Sequence, residues 1–455
     1  MKKTLAVLLS FLCLFGGLCA LWPTSSAVLA QAPAGSVAPA MTKERAEFER
    51  LLNEWKPMLQ QMFDMRIEFH KYGTTPERQE QLLKEYNVLL KKSETLSQQV
   101  IDQALLAFLK NERANADMEL FLLRALQYYM QMDMYEDAAK LSQHLLNQKM
   151  KNNDVIRMAA FSSLKSNDFE TAAMLGETIL ELGLITKFDY GRSDFGALEY
   201  WREAWKQELK FRERDRMKGD LPRVILQTTK GEIEIELFED DAPNTVANFI
   251  YLVEKGFYTN LDFHRVIRGF MAQGGGSELL ATETNLDGTL KKRGVGDPGY
   301  TIEDEVGPNS RKHVRGSVSM ALAGPNSGGS QFFICFKPNA GLDGTYTVFG
   351  RVIRGMNVAV SFLPRDPIDP ANPPEEETSE NGTPWVYEVP GIEMPDKILS
   401  ARVVRKRNHE YSPVIKAKKG QRPPFPKMPG LEDKPTDNLL DDNWDKMEFI
   451  RKHQP

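Results

Sequence analysis

Cysteine is scarce: the chain has three in 455 residues, and two of them, Cys13 and Cys19, fall within the first thirty positions. Beyond that stretch only Cys335 remains, so no internal disulfide can form there and a disulfide-stapled scaffold is excluded. Cys335 sits in the apolar run Gln331–Phe336, where a buried packing thiol is expected. Histidine is equally sparse, six in all and scattered, with no HExxH and no Cys/His cluster. No metal and no cofactor are therefore expected. A basic excess is missing too: 58 Lys and Arg stand against 63 Asp and Glu, a formal net charge of −5. This argues against nucleic acid as a partner and against a polybasic membrane surface. Gly274-Gly275-Gly276 lacks the Lys-Ser/Thr that a phosphate loop needs.

Long apolar runs are confined to one place. Lys2 and Lys3 precede the run from Leu5 to Trp22, Pro23 ends it, and Val28 and Ala30 stand at the spacing a signal peptidase reads. Residues 1–30 thus follow the grammar of a secretory signal peptide, and the protein is expected to be exported, to a periplasm or beyond. After cleavage no membrane span is expected. An uncleaved run would leave the chain tethered. Residues 31–41, rich in Ala, Pro, Gly and Ser, read as a linker.

A length of 455 residues predicts more than one folded unit. From Thr42, Leu51, Leu52, Trp55, Leu59, Met62 and Phe63 recur at helical spacing. Thr75 and Pro76 are placed to cap a second long helix, from about Glu77 to Asn111, so the two form a helical hairpin. Next the sequence repeats itself. Tyr135-Glu136-Asp137-Ala138-Ala139 returns as Phe169-Glu170-Thr171-Ala172-Ala173, 34 residues later. This stretch, about Asn115–Gly183, resembles the tetratricopeptide repeat, and the resemblance implies a groove for a peptide or protein partner. A helical bundle with accidental self-similarity is the other reading. The helical domain is expected to span 42–219.

Strand character begins at Pro222. Val224–Thr228 and Glu232–Phe238 flank Thr229-Lys230-Gly231, a hairpin signal. Alternation in Glu232–Leu237 predicts one buried sheet face and one wet face. A helix is expected over Asn244–Lys255. Residues 365–395 read as a Pro-rich acidic surface insertion, residues 412–455 as a largely disordered tail, and Arg405-Lys406-Arg407 as a solvated strand end.

Three segments carry chemistry: Phe263–Gly275 around Arg265, Gly316–Ile334, and Leu342–Gly350. They bring the permanently charged guanidinium of Arg265 together with Phe270, Met271, Phe333, Leu342 and the amides of Gln273 and Gln331. No general base faces a nucleophile. Such a set suits holding and polarising an apolar peptide, not cleaving it. His264 reads as a packed histidine.

In order and internal spacing the three segments closely resemble the cyclophilins, over about 222–407 without the insertion. The resemblance implies a closed eight-stranded antiparallel β-barrel with two capping helices, the second near Gly355–Phe362, and peptidyl-prolyl cis/trans isomerase activity on proline-containing polypeptide clients. Carried over by position, Arg265 and Gln273 would be catalytic. Phe270, Met271, Ala321, Leu322, Ala323, Gln331, Phe333, Leu342 and Tyr346 would bind substrate. Gly341 stands where the family often has Trp or His, Tyr346 where it often has His, and Leu322 where it often has Asn. A binding module or holdase with little catalysis is the alternative.

Overall fold

The computed structural model describes residues 42–70, 75–110, 116–148, 150, 152–276, 298–365 and 395–417. The stretches read as a signal sequence and a linker, most of the one read as an acidic insertion, and everything beyond Ala417 lie outside the described residues.

The helical part opens with α1 (Lys43–His70) and α2 (Pro76–Leu109), the expected hairpin. Thr75 caps α2, its hydroxyl accepting from the Arg78 amide at 3.3 Å, and Pro76 supplies a preset φ at the first helical position. Trp55 donates to the Ser93 hydroxyl at 2.8 Å, tying the two helices through a buried polar contact. Then come α3 (Ala116–Gln131), α4 (Tyr135–Asn147), α5 (Asn153–Lys165) and α6 (Phe169–Glu181). The sequence period is visible in these boundaries: α3 and α5 end, and α4 and α6 both begin and end, 34 residues apart. Between the paired helices Asp133 and Asn167, again 34 apart, take left-handed backbone with φ of 59° and 70°, a conformation Asp and Asn tolerate better than most. A short α7 (Lys187–Arg192) and the long α8 (Leu198–Lys218) complete the helices, and Gly219 closes α8 in the left-handed C-cap conformation.

The second part is a curled, nine-stranded antiparallel sheet with spatial order β3-β10-β1-β2-β9-β7-β8-β5-β4. The strands are β1 (Arg223–Thr228), β2 (Gly231–Leu237), β3 (Leu261–Asp262), β4 (Arg265–Ile267), β5 (Met271–Gly274), β7 (Ser317–Met320), β8 (Phe332–Cys335), β9 (Val348–Arg354) and β10 (Lys397–Arg405). The expected closed eight-stranded barrel is corrected here: the sheet is a nine-stranded half-barrel. Among the described residues its ends, β3 and β4, share no ladder, although only Phe263 and His264 separate them in the chain. The groups a closing ladder would use are engaged elsewhere. Phe263 donates to the Asp396 carbonyl at 2.8 Å, and Val266 exchanges hydrogen bonds of 2.6 and 2.7 Å with Arg365. Helix α9 (Pro243–Glu254) and the five-residue α10 (Met356–Val360) pack on the core built from Val224, Ile233, Ile235, Phe249, Phe332, Ile334 and their neighbours.

Two further expectations change. The outer face of β2 is not simply wet: Glu236 is buried, and Arg223, Arg351 and Arg405 reach it at 2.9, 2.5 and 3.3 Å. Arg407 is not a solvated strand end either, since it grips Asp220 and Asp240, each at 2.9 Å. At the start of the stretch read as a tail, Val414 exchanges hydrogen bonds with the Asn244 side-chain amide, and β11 (Lys416–Ala417) pairs with β6 (Tyr300–Thr301).

The two parts share a core and a dense polar seam. Val314 and Ala340 from the sheet side pack with Phe169, Phe195, Leu198 and Trp201 of the helices. Arg311 is buried between Asp215 and Glu208 of α8 and Asp241 before α9, at 2.6, 3.4 and 2.7 Å. Arg315 forks onto Glu136 with contacts of 2.6 and 2.7 Å.

Candidate active site

Cross-strand register decides which side chains share a face. In an antiparallel ladder, directly opposed residues point to the same side, and neighbours along a strand to opposite sides. Arg265 of β4 opposes Gln273 of β5, Gln273 opposes Phe333 of β8, and Phe333 opposes Ser319 of β7. One row therefore crosses four strands on one face. A second row on that face runs Ile267, Met271, Cys335. The alternate residues Val266, Ala272, Ile334 and Val318 point the other way, into the main core.

The outward face gathers its own apolar cluster, apart from that core. Met271, Phe333 and Cys335 are buried in it, with Ile267, Phe270, Ala321, Leu342 and Tyr346 partly buried around them. Phe270 reaches it from the β4–β5 turn, where its amide donates to the Ile267 carbonyl at 3.1 Å and its own carbonyl accepts from Phe336 at 2.8 Å. Leu342 and Tyr346 come from the loop before β9, in which Leu342 donates to Asn339 and Tyr346 donates to Leu342, both at 3.3 Å. The Tyr346 ring stands edge-on to Phe333, centroids 5.6 Å apart. Burial pushes the Cys335 thiol well above its ordinary range, so it stays a protonated packing group.

Polar groups line one side. Gln273 donates through Nε2 to Gln331 Oε1 at 3.0 Å, so each amide fixes the other's orientation. Arg265 and Gln273 are half-buried. His264 is adjacent, and burial together with the Arg265 charge pushes its imidazole down to about 4. It is neutral at ordinary pH. Half a ring of apolar side chains beside a fixed cation and two oriented amides can seat an apolar residue and donate hydrogen bonds to polar atoms next to it.

Not every expected residue joins this cluster. Leu322 packs with the main core, its side chain over Gly328. Alternation from Ala321 turns it inward, leaving only its backbone toward the site. Ala323 is exposed, and its amide donates to the Ser327 hydroxyl at 2.8 Å, while the Ala321 amide donates to the Gln331 carbonyl at 2.9 Å. Gly341 is exposed, and a Cβ there would meet only Asn339 Oδ1, at 3.3 Å, so that rim position is open.

Sequence reasoning missed His313. Its ring is wholly buried and stacks on Phe333 at 5.9 Å with 13° between planes. Asp343 Oδ1 lies 2.7 Å from its Nδ1 and accepts its backbone amide at 2.8 Å, and Ser319 Oγ lies 3.0 Å from Nε2. The Leu342-Asp343-Gly344 motif carried half of that signal, but its histidine partner lies 30 residues upstream.

A family model described as cyclophilin type peptidyl-prolyl cis-trans isomerase/CLD matches residues 223–377. A peptidyl-prolyl cis-trans isomerase of Synechococcus elongatus is 50% identical over 131 residues, covering 29% of this chain and 80% of that protein. Peptidyl-prolyl cis-trans isomerase B of Bacillus subtilis is 48% identical over 128 residues, covering 28% and 80%. Among solved structures, a Cryptosporidium parvum cyclophilin-type isomerase crystallised in the presence of the dipeptide Ala-Pro is 30% identical, with 40% of this chain and 98% of that one covered at a TM-score of 0.29. At half identity over four-fifths of such a relative, this chain belongs to the cyclophilin-type peptidyl-prolyl cis/trans isomerases.

Proposed function

We propose that the enzyme isomerises X–Pro bonds in exported polypeptides by seating the proline ring against Phe270, Met271, Phe333 and Leu342 while Arg265 stabilises the twisted amide. An X–Pro bond prefers trans by only ~0.5–1 kcal/mol, yet the isomers interconvert over tens to hundreds of seconds. The barrier, ~18–20 kcal/mol, is the amide resonance lost on twisting. A site that favours the twisted form over both planar forms speeds the reaction in both directions. Twisting returns a lone pair to the proline nitrogen, and a guanidinium donating to that nitrogen or to the proline carbonyl holds it. Arg rather than Lys suits this, because its planar donors keep their direction and its charge never titrates.

The observation that carries the reading is the shared row of Arg265, Gln273 and Phe333 on a face that also holds a separate apolar cluster. The apolar run Leu5–Trp22 behind Lys2 and Lys3 supports export. Isomerisation of a short X–Pro peptide tests the mechanism. Arg265→Ala should lower kcat/KM about a hundredfold with the fold retained. Rates for wild type and variant that both match the uncatalysed one would leave a binding module or holdase with little catalysis.

A further inference from the structure

The helical domain meets the sheet at the very loops that carry the pocket. Tyr200 of α8 donates through its hydroxyl to Asp343 Oδ2 at 2.6 Å. Asp343 lies between Leu342 and Tyr346, and its other oxygen faces His313 Nδ1 and takes the His313 amide, at 2.7 and 2.8 Å. His313 in turn stacks on Phe333. The chain of contacts from a helix to the pocket floor thus reads Tyr200, Asp343, His313, Phe333. An ionised carboxylate can only accept, so His313 Nδ1 must carry the proton that faces it. With Oδ2 occupied by Tyr200, the carboxylate is held at both ends and cannot rotate away from the imidazole.

A second contact acts on the opposite wall. Both Asp133 oxygens accept the Gly269 amide, at 3.0 and 2.9 Å. Gly269 has φ of +66° and is the middle of the turn Arg268-Gly269-Phe270. One arm of that turn carries Arg265, the other Phe270, Met271 and Gln273.

From these contacts we infer that Tyr200 and Asp133 are positioning residues of the isomerase site: the helical domain sets the pocket's floor and its arginine-bearing hairpin rather than merely accompanying them. The inference rests on the proline-pocket reading above. Neither residue reaches substrate. Each acts through a loop whose side chains do. Hydrogen bonds to charged groups resist rotation of their partners, and a site displaced by a fraction of an ångström loses transition-state fit before it loses fold.

The test uses the full-length protein and a short X–Pro peptide. Tyr200→Phe removes one hydroxyl and keeps the ring. kcat/KM should fall about threefold to tenfold, the range of one ordinary hydrogen bond lost, since the hydroxyl acts on the site only through Asp343. The ¹⁵N resonances of the His313 imidazole should move, and the thermal midpoint should shift by less than about 2 °C. Arg202→Ala, on the same helix but bonded to Glu170 and Glu199, should leave kcat/KM at the wild-type value. Asp133→Asn keeps the shape but weakens the hold on Gly269, and should lower kcat/KM with a change in the Phe270 ring resonances. Should Tyr200→Phe unfold the protein, Asp133→Asn decides in its place. Wild-type kcat/KM and an unmoved His313 in folded Tyr200→Phe would overturn the inference. That outcome is distinct from failure of the pocket reading, which shows in Arg265→Ala alone.

Discussion

Replacing Arg311 by Ala should destabilise the protein by about 3 kcal/mol, although Arg311 lies far from Arg265 in sequence and touches no pocket residue. Its guanidinium is buried, 2.6 Å from Asp215, 2.7 Å from Asp241 and 3.4 Å from Glu208, and lies 3.6 Å from the centroid of Phe238. Removing one member of a buried ionic group costs about 3–5 kcal/mol, because the remaining charges stay desolvated. Here each acid keeps a second arginine. Arg214 holds Asp215 and Asp241 at 3.0 and 2.6 Å, and Arg212 holds Glu208 at 2.8 Å, so the lower end applies. Arg311→Lys retains the charge but cannot face three carboxylates at once, and should cost about half as much. Urea unfolding followed by tryptophan fluorescence reads this, since Trp201 and Trp205 lie on α8, the helix that carries Glu208 and Asp215. With a slope of about 3 kcal/mol/M, the Arg311→Ala midpoint should drop by about 1 M. A second cycle with Asp215→Asn should show strong coupling. A midpoint drop below about 0.3 M, with additive single effects, would refute the idea that this buried group holds the two domains together.

Two other predictions follow from the site's surroundings. Burial and the Arg265 charge hold the His264 imidazole down at about 4, against 6.5 for a free histidine side chain; the unfolded chain binds that proton first. Stability should therefore decline as pH falls from 6.5 toward 4, by about 3 kcal/mol in all, and His264→Gln should flatten that limb of the curve; equal slopes would sink the assignment. Gly275 has φ of +83°, and a Cβ there would lie 2.6 Å from the Ser330 carbonyl oxygen. Gly275→Ala should then cost more than about 1 kcal/mol, and chemical denaturation that found it neutral would contradict the geometry.

The shared face of the candidate site was legible in sequence because its parts are local. Arg265, Phe270, Met271 and Gln273 belong to one hairpin, and a short hairpin fixes which residues oppose each other. Strand alternation at Met320-Ala321-Leu322 turns the Leu322 side chain into the main core, so the contact expected of it could come only from its backbone. The β2 pattern gave the inner face correctly, with Ile233, Ile235 and Leu237 fully buried. It could not say what covers the outer one. Glu236 and Arg351 are 115 residues apart, and Arg315 and Glu136 are 179 apart. Period and propensity carry no signal over such distances. Sheet closure failed on smaller terms, the partners chosen by Phe263 and Val266.

The internal repeat takes on a use that its sequence does not announce. Asp133 and Asn167 hold the same place in the two helical pairs and the same left-handed backbone, and each spends its side chain on the sheet. Asp133 takes the Gly269 amide, whereas Asn167 exchanges hydrogen bonds of 2.9 and 3.1 Å with the backbone of Arg315. Gly269 precedes Phe270, and Arg315 leads into the strand that carries Ser319, the hydroxyl beside His313. Packing one helical pair on the next fixes the separation of two equivalent turns, and those turns meet two loops on either side of one pocket. A stacked pair of helices resists stretching far better than a loop does. The stack thus adds a second tie between the arginine-bearing hairpin and the strand that carries Ser319, beside the ladders β4–β5–β8–β7 that already join them.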